Sequence, residues 1–188
     1  MKTLTLDKKE IRDYFFEIKE FCDKIEDDKN YSSKYWMHNK HSLLNKLFLQ
    51  KDMELTTLIY DWDKLVCVSG IEKSDFDDKV AVAAKRTYIS KSHRGKGIFS
   101  KYLLPEQIEW AEKNGYLTVI IAINKPDVLR LVERIMKKSL LGLKAPDALY
   151  QFKEYSKKLI IKDTEQTVFY LNINGRKRWN VPKNIKVV

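Results

Sequence analysis

The stretch TYISKSHRGKGIFSK, Thr87 to Lys101, decides how this chain is read. It begins with branched and aromatic residues suited to a strand. It then passes a basic turn holding two glycines and ends on residues that open an amphipathic helix. A glycine-bearing turn at the start of a helix is suited to hold phosphate. The first backbone N–H groups have no partner within the helix, the helix dipole favours an anion, and glycine lets a ligand approach the main chain. In the turn Arg94-Gly95-Lys96-Gly97, two cations stand among those donors. A glycine pair alone is a weak signal; strand, basic turn and helix in that order make a stronger one.

Reading upstream, Val80 to Ile89 is the strand that feeds the turn. Leu55 to Tyr60 and Lys64 to Ile71 are two further strands, joined as a hairpin by Asp61-Trp62-Asp63, with Ser74 to Lys79 a charged loop. Nearer the N-terminus, Ile11, Tyr14, Phe15, Ile18, Phe21, Cys22 and Ile25 recur at helical spacing, so Asp7 to Ile25 is read as a helix with Asp7 as its N-cap. A second helix is expected from Ser33 to Leu49. Downstream, a helix is expected from Gly97 to Asn114, stopped by Gly115. Pro105 lies inside it, where an interior proline costs roughly 3 kcal/mol, so a kink or a restart is expected there. Leu117 to Ile123 is almost wholly apolar and reads as a strand buried on both faces. Asn124-Lys125-Pro126-Asp127 opens another helix, Gly142 to Ala148 is a loop, and Tyr155 to Lys162 and Thr167 to Ile173 form a last antiparallel pair.

The 188 residues suit one domain with a sizeable core, expected over 1–174 with a helical part at 1–50 and a basic, partly mobile tail at 175–188. Hydrophobic residues make up 44% and charged residues 33%, which excludes a compositionally disordered chain. The apolar runs are too short to span a bilayer, and MKTLTLDKKE lacks the apolar core of a secretion signal. Cys22 and Cys67 lie far apart, which reads as two free thiols in a cytoplasmic protein, or host cytoplasm if a phage carries it. His38 and His41 are spaced as half a metal site, but no cysteine or carboxylate cluster completes it, so no metal is expected. The net charge of +10 suits an anionic partner and equally a lysine-rich surface.

The order of elements, with the RGKG turn after the third core strand, resembles the GNAT family of acyl-CoA-dependent N-acyltransferases. The family signature in that turn is Arg or Gln, then two residues, Gly, one residue, and Gly or Ala. Arg94 and Gly97 match it, and Phe99 stands in the last place. Lys91 stands where many members have proline, and His93 where many have an aromatic residue. The resemblance covers about Leu55 to Ile173, and no first strand is evident unless Thr3 to Leu6 supplies it. Wording around Arg94 to Ala111 also looks like phage-carried members.

The resemblance implies an α/β fold of the α+β type: a mixed, largely antiparallel central sheet with a splayed parallel strand pair and helices on both faces. It implies acetyl-CoA as cosubstrate, with no metal, and an amine acceptor. The pantetheine arm would pair with Tyr88, Ile89 and Ser90. The pyrophosphate would lie on the N–H groups of Arg94, Gly95, Lys96, Gly97, Ile98, Phe99 and Ser100. Asn124 stands where the family often has an asparagine touching the pantetheine; it equally suits a helix start. The tyrosine acid of many members falls on Leu131, and no glutamate lies on the face carrying Ala83, Lys85 and Thr87. Tyr150 and Glu72 are the remaining candidates for acid and base.

Three functions are therefore open. The first is an N-acetyltransferase acting on an unidentified primary amine. The second is a catalytically inactive GNAT-like binding or structural protein, for instance of a phage, motivated by Phe99 and Leu131. The third is a GNAT-like enzyme acting on nucleic acid through Arg176-Lys177-Arg178-Trp179. No membrane partner is expected, and a C-terminal strand is compatible with pairing between subunits.

Overall fold

A computed structural model describes residues 1–7, 9–26, 53–123, 129–130, 132–134, 156–161, 164–175, 180–183 and 185–187. Its strands are β1 (Lys2–Leu6), β2 (Met53–Asp61), β3 (Lys64–Lys73), β4 (Val80–Ile89), β5 (Thr118–Ile123), β6 (Ser156–Ile161), β7 (Thr164–Asn172) and β8 (Lys186–Val187). Two α-helices are described by their bounds: α1 (Phe15–Glu26) and α2 (Leu104–Lys113). The strands hydrogen-bond in the order β1-β2-β3-β4-β5-β7-β6-β8. The β4–β5 pair is parallel and the β1–β2, β2–β3, β5–β7, β6–β7 and β6–β8 pairs are antiparallel. This is the mixed sheet with helices that the sequence order implies.

The chain divides into two compact units: Met1–Glu72 with Ala84–Glu106, and Lys73–Ala83 with Gln107–Val188. In the first unit, β1 pairs with β2, and β2 returns through the two-residue turn Trp62-Asp63 to pair with β3, Asp61 opposite Lys64. Every residue of β3 from Leu65 to Glu72 is buried, because apolar layers cover both its faces. On one side Ile18, Phe21 and Cys22 of α1 meet Leu58, Leu65, Val68 and Tyr88. On the other, Ile98 and Leu103 meet Ile59, Val66 and Cys67. Burying a side chain of this size is worth about 1.5–3 kcal/mol, so these layers fix which face each strand residue takes.

The N-terminal helix differs in one respect from the sequence reading. Asp7 does cap it: its Oδ1 accepts from the amides of Lys9 (2.7 Å) and Glu10 (2.9 Å), and its own amide donates to Glu10 Oε2 at 2.9 Å. That is a reciprocal capping box. The first turn, Glu10–Tyr14, is a 3-10 helix, however, and regular α-helix starts only at Phe15. The missing first strand is supplied by Lys2–Leu6, whose Leu4 lies opposite Leu58.

In the second unit, the start of β4 runs parallel to β5 from Val80↔Thr118 to Val82↔Ile120, and β5 pairs on its other edge with β7. Val80, Val82, Ile120, Leu159, Val168 and Tyr170 form its core. Residues 186–187 pair with Leu159 and Ile160 of β6, and Val181 and Ile185 pack on this core, so apolar burial holds these residues. The expected second helix (33–49) and the Gly142 to Ala148 loop lie outside the described residues.

The restart expected at Pro105 is found. Phe99–Leu103 is a π-helical turn, and α2 begins at Leu104 with Pro105 in its first turn. Proline has no N–H to return to residue i−4, so a widened turn ahead of it removes the conflict. Gly115 (φ +74) ends α2: its amide reaches Glu112 O and that of Tyr116 reaches Ala111 O, a Schellman cap.

Candidate cofactor site

Strand β4 is distorted before it reaches the turn. Ala84 and Arg86 have φ of +54° and +52°, a conformation that residues with a Cβ rarely adopt. Two such residues, with Lys85 between them, bulge the strand at this point. Its strain is held by Thr87, whose hydroxyl donates to Ala84 O at 2.8 Å and also meets Ser69 Oγ of β3 at 2.8 Å. Glu72, near the end of β3, is buried and lies 3.6 Å from the Lys85 ammonium, between the two bulged residues.

Beyond the bulge the chain leaves β4 at Ser90, whose amide donates to Val66 O. It passes a short 3-10 turn, Lys91–His93, and enters the RGKG turn. Gly95 and Gly97 have φ of +77° and +76°, which explains why glycine stands at both. A Cβ on Gly95 would meet nothing within 4 Å, whereas one on Gly97 would come within 3.3 Å of the Lys101 side chain. Gly95 and Lys96 are exposed, so the turn presents main chain and a cation to solvent at the head of a helix.

The side chains of several expected contact residues point elsewhere. Tyr88, Ile98 and Ser100 are buried, and Phe99 packs against the Ile59–Val66–Ile98 layer. Their side chains are therefore engaged within the protein, which leaves only their backbone for any ligand. Phe99 replaces the small residue of the signature by turning onto the core. Arg94 is braced by its own strand, Nε donating to Ile89 O at 3.1 Å.

His93, beside the turn, is not a surface residue. It is 7% exposed, with Nε2 3.0 Å from Asp61 Oδ2 and Nδ1 2.8 Å from Ser90 Oγ and 2.9 Å from Ser92 Oγ. The His93 hydrogen bond holds the Asp61 carboxyl below the usual carboxylate range, with Lys96 adding to the effect. Asp61 carried no signal in the sequence, since it is 32 residues from its partner. The bulge carried none either, because neither Ala84 nor Arg86 is a glycine.

A cavity of about 710 Å³ borders the same strand end, lined by Ser90, Lys91 and Arg94 among others. Glu17 and Asp63 share that lining with the cations, so the cavity is not by itself an anion site. Asn124, Leu131, Tyr150, His38, His41 and the run Arg176 to Trp179 lie outside the described residues. Among the described residues no cluster of metal-ligating side chains occurs, and no helix is long and apolar enough to cross a membrane.

The fold is that of the GNAT acetyltransferases. An acetyltransferase of the GNAT family from Streptococcus pneumoniae matches over 92% of this chain and 100% of its own, with TM-score 0.53 and 16% identity. PaiA N-acetyltransferase from Thermoplasma acidophilum, in complex with coenzyme A, covers 92% and 100% with TM-score 0.51 and 14% identity. A ribosomal-protein-alanine N-acetyltransferase from Brucella melitensis covers 92% and 100% with TM-score 0.54 and 12% identity. At such identities the likeness is one of fold. No family model matches the chain, and no curated protein does.

Proposed function

We propose that the chain is an acetyl-CoA-dependent N-acetyltransferase acting on a primary amine. The observation that carries this reading is the turn itself: two positive-φ glycines flanked by Arg94 and Lys96, at a helix start, directly after a bulged strand. Exposed main chain and cations at a helix head fit a pyrophosphate. The cosubstrate supplies an activated acyl group as a thioester. The chain's own tasks are then to hold the pyrophosphate on the amides of Arg94 to Ser100, to align the pantetheine arm with Tyr88 to Ser90, and to aim backbone N–H groups of the bulge at the carbonyl oxygen. The acceptor amine must arrive neutral and lose a proton as the new C–N bond forms and the C–S bond breaks. Glu72, the buried carboxylate beside the bulge, is assigned that proton, directly or through water.

Calorimetric titration with acetyl-CoA and with CoA tests the reading. Micromolar binding is expected, weakened about tenfold by Arg94→Ala, a loss of one charge-assisted contact. Gly97→Asp is expected to weaken it further, because it adds a carboxylate and a strained φ. Absence of binding in the unaltered protein would overturn the proposal and leave a GNAT-like binding or structural protein.

A further inference from the structure

We propose that His93 is a positioning residue for the phosphate turn, and that Asp61, on the β2–β3 hairpin, sets its orientation. The inference rests on the reading of that turn as the cosubstrate's pyrophosphate site and adds to it what holds the turn in place.

Within the turn, Arg94 is braced by its own strand, Nε donating to Ile89 O at 3.1 Å. Gly95 offers no side chain and has open space around it, and Lys96 is exposed. The residues that flank the turn are fixed by burial, His93 at 7% exposure and Ile98 at 1%. Ile98 is a non-directional apolar anchor. His93 is a directional one, engaged by both backbone and ring. Its amide donates to Ser90 O (2.9 Å) and its carbonyl accepts from Lys96 N (3.4 Å). Its ring joins the strand end through Ser90, the short 3-10 turn through Ser92, and the hairpin through Asp61.

Hydrogen-bond chemistry fixes the ring's orientation. An ionised Asp61 can only accept, so Nε2 must carry the proton that fills the 3.0 Å bond. Nδ1 then faces two hydroxyls, one of which can donate into its single lone pair. Flipping the ring would set carbon against the carboxylate. Lys96 and the amino group of Met1 also favour the ionised form of Asp61. A displacement of His93 would move Arg94 and the amides that follow it, and an ångström-scale shift there is enough to misplace a bound phosphate.

The experiment compares CoA affinity, melting temperature and the imidazole nitrogen NMR signals of the full chain with those of Asp61→Ala, Asp61→Asn and His93→Ala. The ring of the unaltered protein should carry a proton on Nε2, the nitrogen that faces Asp61. Asp61→Ala and His93→Ala should each raise the CoA Kd about tenfold, the loss of one charge-assisted bond. Asp61→Asn, which keeps an acceptor for Nε2–H, should restore the Kd to within about threefold. An unchanged Kd in folded Asp61→Ala, or a ring protonated on Nδ1 alone, would overturn the inference. Should Asp61→Ala fail to fold, Ser90→Ala with Ser92→Ala takes its place, with the same expected rise and the same overturning result. Absence of CoA binding in the unaltered protein would instead overturn the reading of the turn itself, which separates the two failures.

Discussion

Glu72 and Lys85 show what single side chains contribute near the bulge. A carboxylate that is 6% exposed must be paired or hydrogen-bonded, and the Lys85 ammonium at 3.6 Å supplies a partner. Glu72→Gln keeps the shape and removes the proton acceptor. On the proposed chemistry, kcat should fall by about 10²–10⁴ while the CoA Kd stays within about twofold. An unchanged kcat, measured with any amine found to be acetylated, would make the pair purely structural. At this scale the sequence was legible in part. The turn at Gly95 and Gly97 was readable because paired glycines mark positions of positive φ. His93 was not, because its burial depends on a carboxylate contributed by a distant hairpin. The positive φ of Ala84 and Arg86 was equally hidden, since tertiary packing imposes it against their local preference.

Among elements, β4 matched its sequence bounds of Val80 to Ile89, because a run of branched and small apolar residues ends sharply at the basic turn. β1 was nearly missed: five residues that pair along only one described edge carry little pattern of their own. The π-helical turn at Phe99–Leu103 was invisible as such, since one widened turn barely changes a helical period; only Pro105 pointed to an interruption. The end of α2 gives a clean test of a single element. A Cβ at Gly115 would touch nothing within 4 Å, so the cost of Gly115→Ala comes from its φ of +74° alone. Chemical denaturation should show a loss of about 1 kcal/mol, the left-handed penalty. A loss near zero would mean the Schellman cap relaxes without cost.

For the molecule as a whole, pH acts through carboxylates with partners. Asp7 is held below its ordinary value by the amides of Glu10 and Lys9, and Asp61 by its bond to His93. A folded pKa below the unfolded one adds stability that is fully present above about pH 3.9, the ordinary Asp value. That contribution disappears as pH falls through the lower folded values. The melting temperature should therefore drop as pH falls below about 4. Asp7→Asn and Asp61→Asn should each flatten that drop; equal slopes in all three proteins would contradict it. The mixed sheet was expected from the family resemblance, but β8 was not, because it joins residues of the basic tail to the distant β6. Trp62, finally, stands 91% exposed on the hairpin, one residue from Asp61. Its indole is a built-in optical reporter: quenchers dissolved in the buffer reach it freely, and comparison with Trp62→Phe separates its emission from that of the other three tryptophans.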